Sequence, residues 1–287
     1  MTDNPLVRIR QMRKKDIEEA ICLSMAEGWN QTEKDWKLLL EGPDNVCLAA
    51  EYENTLAGTA TALCHSGKIA WIGMVLVDKR LRGQGIGRKL LLDIIKKLRN
   101  VESIKLDATP AGLPLYEHIG FIEEYKIIRM ICPGSGDFYY QYPDGVPLHT
   151  EPEILPEILK LDTTVFGVDR TYLLNSIYKN YPLKAFHVRQ NYNLNGYIFG
   201  RDGSRFHYLG PVSAVSVETA RALIAKAMEI LNHQPIAIDV LEDKEALISW
   251  LESIGYVRQR NFVRMYLKGN FPGKIENQYL ISGPEFG

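Results

Sequence analysis

Residues 117–131 read EHIGFIEEYKIIRMI, and residues 252–266 read ESIGYVRQRNFVRMY. Gly120 falls on Gly255, Arg129 on Arg264 and Met130 on Met265, each 135 residues later. Two further pairs precede these segments in the same order: WIGMVLV with YLGPVSA, and SIKLDA with PIAIDV. Recurrence at a long, constant spacing means that one structural unit occurs twice. A chain of 287 residues has room for two such units. The first is expected over residues 1–135 and the second over 150–270. Residues 132–150, with PGSG and YPDG, read as the linker.

Within the first unit, Ile17, Ala20, Ile21 and Met25 recur at helical spacing, and a second helix is expected from Thr32 to Leu40. Three strand-like runs follow, VCLAAEY, LAGTATALC and IAWIGMVLV, divided by turn signals, so they read as an antiparallel meander. The third run is apolar on both faces and belongs in the middle of a sheet. Ile86, Leu90, Leu91, Ile94, Ile95 and Leu98 then mark a helix. A strand SIKLDA, a short helix around GLPLYEHIG and a strand YKIIRMI complete the unit.

Between the meander and that helix lie Gly83, Gly85 and Gly87, set among Arg80, Arg82, Arg88 and Lys89. Glycine weakens a helix by roughly 1 kcal/mol, so bare backbone here has another use. A helix N-terminus presents unpaired N–H groups and partial positive charge. Glycine lets a phosphate approach them closely. The unit therefore reads as a diphosphate cradle. A dinucleotide is one candidate, with Asp107 placed to meet a ribose, but GxGxxG needs glycine where Arg88 stands.

The other candidate is coenzyme A. The stretch VLVDKRLRGQGIGRKLL, with Arg82-x-x-Gly85-x-Gly87, resembles the signature of the GNAT superfamily of acyl-CoA N-acyltransferases. LYEHIGF, Leu115 to Phe121, resembles its Tyr-x-x-x-Gly-Phe element. Position 79 is often proline in that family and is Lys79 here. The resemblance spans about Ile9 to Ile131. It implies an α/β fold, a mixed and mostly antiparallel sheet flanked by helices, here duplicated.

It also implies a chemistry: transfer of an acetyl group from acetyl-CoA directly to a primary amine of a small molecule or amino acid derivative. The diphosphate would lie on backbone N–H groups of Arg82, Gly83, Gln84, Gly85, Ile86, Gly87 and Arg88. The pantetheine arm would pair with Val75 and Val77, where that strand and SIKLDA splay apart. A backbone N–H near Val75 would stabilise the developing oxyanion. Tyr116 holds the position of the general acid that protonates the departing thiolate, and Thr109 stands where many relatives place a coenzyme A contact. The proton acceptor is not evident; Glu27 and Asp107 are the candidates.

The second unit reads PVSAVSVETARAL where the first has its glycines, and Leu251 where the first has Tyr116. A degenerate copy that binds no coenzyme A and shapes the acceptor side is expected. HYLGP and NYNLNGYIF could line that side or simply pack. The FGVDR segment, Phe166 to Arg170, resembles one found in tandem GNAT-like proteins. Rival readings are a non-catalytic acyl-CoA sensor and a dinucleotide-dependent oxidoreductase.

A net charge of −1 gives no argument for nucleic acid. No apolar run reaches the length of a membrane span. The N-terminal residues lack a signal peptide's apolar core, so a cytoplasmic location is expected. Cys22, Cys47, Cys64 and Cys132 have no CxxC spacing, and the histidines share no ligand spacing, so packed thiols and no metal are expected. The final ISGPEFG reads as a frayed or appended end. Oligomeric state is not legible.

Overall fold

The computed structural model describes residues 7–134, 139–142 and 145–287; part of the expected linker lies outside them. The first unit runs β1 (Arg8–Gln11), α1 (Ile17–Ala26), α2 (Glu33–Glu41), β2 (Val46–Tyr52), β3 (Thr55–His65), β4 (Ile69–Val77), α3 (Ile86–Lys97), β5 (Ser103–Ala108), α4 (Leu113–Ile119) and β6 (Ile122–Cys132). The second repeats that order: β7 (Leu148–His149), α5 (Leu155–Phe166), α6 (Thr171–Asn180), β8 (Phe186–Gln190), β9 (Asn193–Arg201), β10 (His207–Ala214), α7 (Val217–Leu231), β11 (Ile236–Leu241), α8 (Glu245–Ser253) and β12 (Val257–Lys268). A last strand, β13 (Gln278–Leu280), has no counterpart in the first unit.

Local chemistry explains the element ends. Thr32 opens α2 with a capping box: its N–H donates to the Asp35 carboxylate at 2.7 Å, and its hydroxyl accepts from the Asp35 N–H. The α3 stripe buries Ile86, Leu90, Leu91 and Ile94 beneath the sheet face. The α1 stripe departs from expectation at its end, where Met25 is 59% exposed and Ser24 is buried instead. Cys22 is also exposed, whereas Cys47 and Cys132 are packed.

The strands form one sheet ordered β1-β2-β3-β4-β5-β12-β6-β11-β13-β10-β9-β8-β7. Its neighbours are antiparallel except β4–β5 and β10–β11. A mixed sheet of this kind is not the parallel sheet of a dinucleotide fold. The two units exchange their last long strands: β12 pairs with β5 of the first unit, and β6 pairs with β11 of the second. They meet each other along the middle of the sheet.

Each exchanged strand carries a buried arginine to the other unit. Arg264 on β12 donates to both oxygens of Asp107 on β5, at 2.8 and 2.9 Å, and also to the Tyr125 hydroxyl. Arg129 on β6 donates to both oxygens of Asp239 on β11, at 2.8 and 2.6 Å. The Tyr208 hydroxyl donates to the same Asp239 at 2.8 Å. These are the arginines that the repeat brings into correspondence. A buried bidentate pair is costly to break, about 3–5 kcal/mol, because the remaining charge is stranded.

The C-terminal residues are not frayed. Ser282 and Phe286 are fully buried, and Ile281 and Glu285 nearly so. The Trp71 indole donates to the Pro284 carbonyl at 3.1 Å, and Arg201 donates to Glu285 at 2.6 Å. Arg170 of the FGVDR segment pairs with Asp162 and donates to the Ser282 hydroxyl at 3.0 Å. Phe286 packs in a core shared by Trp71 of the first unit and Phe166 and Leu173 of the second. A short Gly- and Pro-bearing tail has no local pattern that announces such a seat; only the two assembled units create it.

Candidate active site

After Val77 the chain turns through Gly83 and Gly85, whose φ values are +79° and +78°. A side chain is strained in this left-handed region, which is why glycine stands at both positions. Gly85 is the N-cap of α3, and its carbonyl accepts the first helical bond from Lys89 at 3.0 Å. The N–H groups of the first turn of α3 therefore have no partner within the helix. No atom lies within 4 Å of where a Gly83 side chain would begin, so the turn faces open space. Gly87 packs its bare face toward Val77 at 3.5 Å. Ile86 is buried and anchors the turn, whereas Arg82 and Arg88 are exposed above it.

Beside this turn, β4 and β5 pair over three rungs, ending at Trp71–Lys105. Beyond that rung they separate. β4 is irregular there: Met74 has φ +49°, and its register with β3 shifts. Thr59 and Thr61 of β3 donate to the Met74 and Gly73 carbonyls at 2.7 and 3.1 Å, fixing the irregularity. The edge of β4 around Val75 and Val77 thus faces β5 without a rung.

The gap and the glycine turn open into one cavity of about 560 Å³. Val75, Val77, Arg82, Gly83, Gly85, Ile86, Gly87, Arg88, Thr109 and Tyr116 all line it. Gln84 is the one member of the cradle run not on its wall; it sits half-buried in the loop with a partner of its own. The Tyr116 ring lies against Gly112, where a Cβ would stand 2.9 Å from it, and meets Phe121 edge-on at 5.9 Å. Burial pushes its phenol up to about 12, so it is protonated throughout the physiological range. Thr109 caps α4 through its main-chain carbonyl, which accepts from Gly112 and Leu113.

Both proton-acceptor candidates reach the wall already engaged. Asp107 is held by Arg264 at both oxygens. Glu27 accepts from Arg82 at 2.5 Å and lies 3.6 Å from Lys79. A third carboxylate, Glu285, was hidden from sequence reasoning by the assumption of a frayed tail. Its backbone fills the space beside Gly73, where a Cβ would stand 2.8 Å from the Glu285 Cα. Its carboxylate and that of Asp35 share the guanidinium of Arg201.

The second unit reaches this cavity through Arg260 and Phe262 of β12 and through Pro284 and Glu285. HYLGP and NYNLNGYIF do not contribute: Tyr197, Phe199, Tyr208 and Leu209 are core residues. Its own counterpart of the glycine turn is a plain helix start, with the Ser216 hydroxyl accepting from the Thr219 N–H at 3.1 Å. Leu251, the counterpart of Tyr116, is fully buried in apolar packing. Among the described residues no three His, Cys, Asp or Glu side chains converge as a metal site. No described helix is long and apolar enough to cross a membrane.

Comparison with known proteins finds two matching regions in the chain. Residues 11–121 match the model of the acetyltransferase (GNAT) family, and residues 158–280 match a second model, an acetyltransferase (GNAT) domain. The chain is 26% identical over 216 residues to the uncharacterized N-acetyltransferase YitH of Bacillus subtilis, spanning 75% of each protein. It is 37% identical over 71 residues to the uncharacterized N-acetyltransferase ycf52 of Gracilaria tenuistipitata var. liui, covering 24% of this chain and 39% of that one. A Pyrococcus horikoshii protein assigned to the acetyltransferases shares the fold, with a TM-score of 0.82 at 22% identity over 100% of this chain and 98% of its own. A GCN5-related N-acetyltransferase of Sphaerobacter thermophilus superposes with a TM-score of 0.66 at 14% identity, over 93% and 97%. With two family regions in tandem on a sheet of the matching architecture, the chain belongs to the GNAT acetyltransferases.

Proposed function

We propose that this protein is an N-acetyltransferase that moves the acetyl group of acetyl-CoA directly to a primary amine of a small molecule or amino acid derivative. One observation carries the reading: an open glycine cradle, an unpaired stretch of β4 edge and the Tyr116 phenol share one cavity. Acetyl-CoA brings an acyl group activated as a thioester. The residues present suit it. Its diphosphate fits the first-turn N–H groups between Gly83 and Arg88, with Arg82 and Arg88 adding charge. Its extended arm fits the main-chain groups of Val75 and Val77 that β5 leaves without a rung. The Val75 N–H is fixed by the irregularity in β4, so it can donate to an oxygen that gains negative charge without reorganising. Tyr116 keeps its proton until the departing thiolate requires it.

In this reading residues 1–135 form the active unit. Residues 150–270 form a copy without cofactor; its β12 and the tail that follows it complete the acceptor side. The test has two parts. Acetyl-CoA should raise the melting temperature, as any ligand of the native state does, and NAD should not. Gly85→Val should abolish the shift. Thiol release in the presence of amines should follow; acetyl-CoA binding without transfer to any amine would indicate a sensor.

A further inference from the structure

The two arginine rows at the centre of the sheet are built alike but end differently. In one, β5, β12 and β6 align Asp107, Arg264 and Tyr125. In the other, β11, β6 and β12 align Asp239, Arg129 and Arg260. Tyr125 and Arg260 correspond by the same 135-residue spacing as the rest of the repeat. Where one row closes with a neutral hydroxyl, the other closes with a second cation. Arginine directly opposite arginine destabilises an antiparallel pair. The register shift between Arg258 and Arg260 leaves Gln259 unpaired and brings that opposition about.

Asp239 does not neutralise both guanidiniums. Arg129 takes both of its oxygens, and the Tyr208 hydroxyl takes a further bond. The other carboxylates on the cavity wall are engaged too: Glu27 with Arg82, Asp107 with Arg264, and Glu285 with Arg201. Arg260 lines the cavity, half-buried, with no hydrogen bond or ion pair among the described residues. Burial first, and then the charge of Arg129, push its guanidinium below its ordinary value, with Asp239 and Glu27 offsetting part of this. Arg88 is also a cavity cation without a described partner, but it stands in the first turn of α3, where the cradle accounts for it.

On the proposed function above, we propose that the acceptor carries an oxyanion, a carboxylate or a phosphate, besides its amine, and that Arg260 receives it. A guanidinium is a planar fork that matches either group at two points. Phe262 and Trp29 on the same cavity wall offer apolar surface for the body of such a molecule. The acceptor class is then an anionic amine, such as an amino acid or an amino-alkyl phosphate, rather than a simple polyamine.

The test uses the full chain at saturating acetyl-CoA, with thiol release as the readout. Amines are compared in pairs that differ only in the anion: β-alanine with β-alaninamide, O-phosphoethanolamine with ethanolamine, and glutamate with glutamine. The anionic member of at least one pair should be favoured about 10- to 100-fold in kcat/KM, mostly through KM, as expected for charge-assisted hydrogen bonds. Arg260→Ala should remove that preference and Arg260→Lys should retain part of it, while the thermal shift given by acetyl-CoA stays the same in all three proteins. Equal rates within every pair, zero included, would overturn the assignment, as would a preference that survives Arg260→Ala. Loss of the acetyl-CoA shift in the unmodified chain would bring down the proposed function itself, and this inference with it.

Discussion

The two units treat the same topological event in opposite ways. In the first, β4 and β5 run parallel for three rungs and then part. In the second, β10 and β11 also run parallel for three rungs, ending at Leu209–Ile238, and then part. Parting strands leave main-chain donors and acceptors that must find partners. In the second unit the chain supplies them: β13 enters the opening and pairs with β10 through Val212–Leu280 and Ser213–Gln278, and with β11 through Val240–Leu280. In the first unit no strand among the described residues enters. The opening joins a cavity, with a glycine turn at one side and Tyr116 at another. A duplicated fold thus holds its own control: the same opening plugged by peptide in one unit and joined to a cavity in the other. The lesson is that the second unit departs from the first in more than its missing glycines, because the slot itself is occupied.

The comparison can be broken first where the units are most alike. Arg129→Ala and Arg264→Ala should each cost about 3–5 kcal/mol in denaturant unfolding, since each strands a buried aspartate. Similar losses would mean that the exchanged strands lock both units equally; a silent change at either site would show that its row is not structural.

The next pair separates chemistry from packing. Tyr116→Phe should lower kcat on the order of 100-fold, or about 2.7 kcal/mol, with little effect on acetyl-CoA affinity or stability. Leu251→Ala, at the matching place in the second unit, should cost about 2–4 kcal/mol of stability and leave kcat near its original value. The pH profile should show no loss of kcat from Tyr116 below about pH 10, because burial holds its phenol near 12.

The most gradual effect concerns the seam between the units, where His65 of β3 meets Phe166 of α5 edge-on at 5.8 Å. Burial pushes the imidazole down to about 3 from an ordinary 6.5. The unfolded chain therefore takes up a proton below pH 6.5 that the native protein refuses. Stability from this site is fully present above pH 6.5 and falls as the pH drops toward 3, by about 1.4 kcal/mol per unit within that window. His65→Phe should flatten that part of the stability profile; an unchanged slope would place the acid sensitivity elsewhere.

Much of the first unit was legible in the sequence. Hydrophobic periodicity located the meander and α3, because those elements bury one or both faces in the regular way. Gly83 and Gly85 were legible because only a turn needing positive φ favours them. The repeat was legible in Arg129 and Arg264, but their partners Asp239 and Asp107 lie across exchanged strands, and strand exchange leaves no mark in a local pattern. The tail was misread for the same reason: Phe286 and Glu285 gain their places from two assembled units, not from their neighbours in sequence. Arg260 was the missed residue with a usable signal, since aligning the repeats sets it against Tyr125 and exposes a change from neutral to charged.

The most direct test of the open and plugged slots is a crystal structure of the full chain with coenzyme A. It should show one molecule, its diphosphate on the main-chain N–H groups between Gly83 and Arg88, its arm along Val75 and Val77 with the sulfur toward Tyr116, and residues 278–280 still seated between β10 and β11. Coenzyme A between β10 and β11, or an empty turn at Gly83–Arg88, would contradict the account.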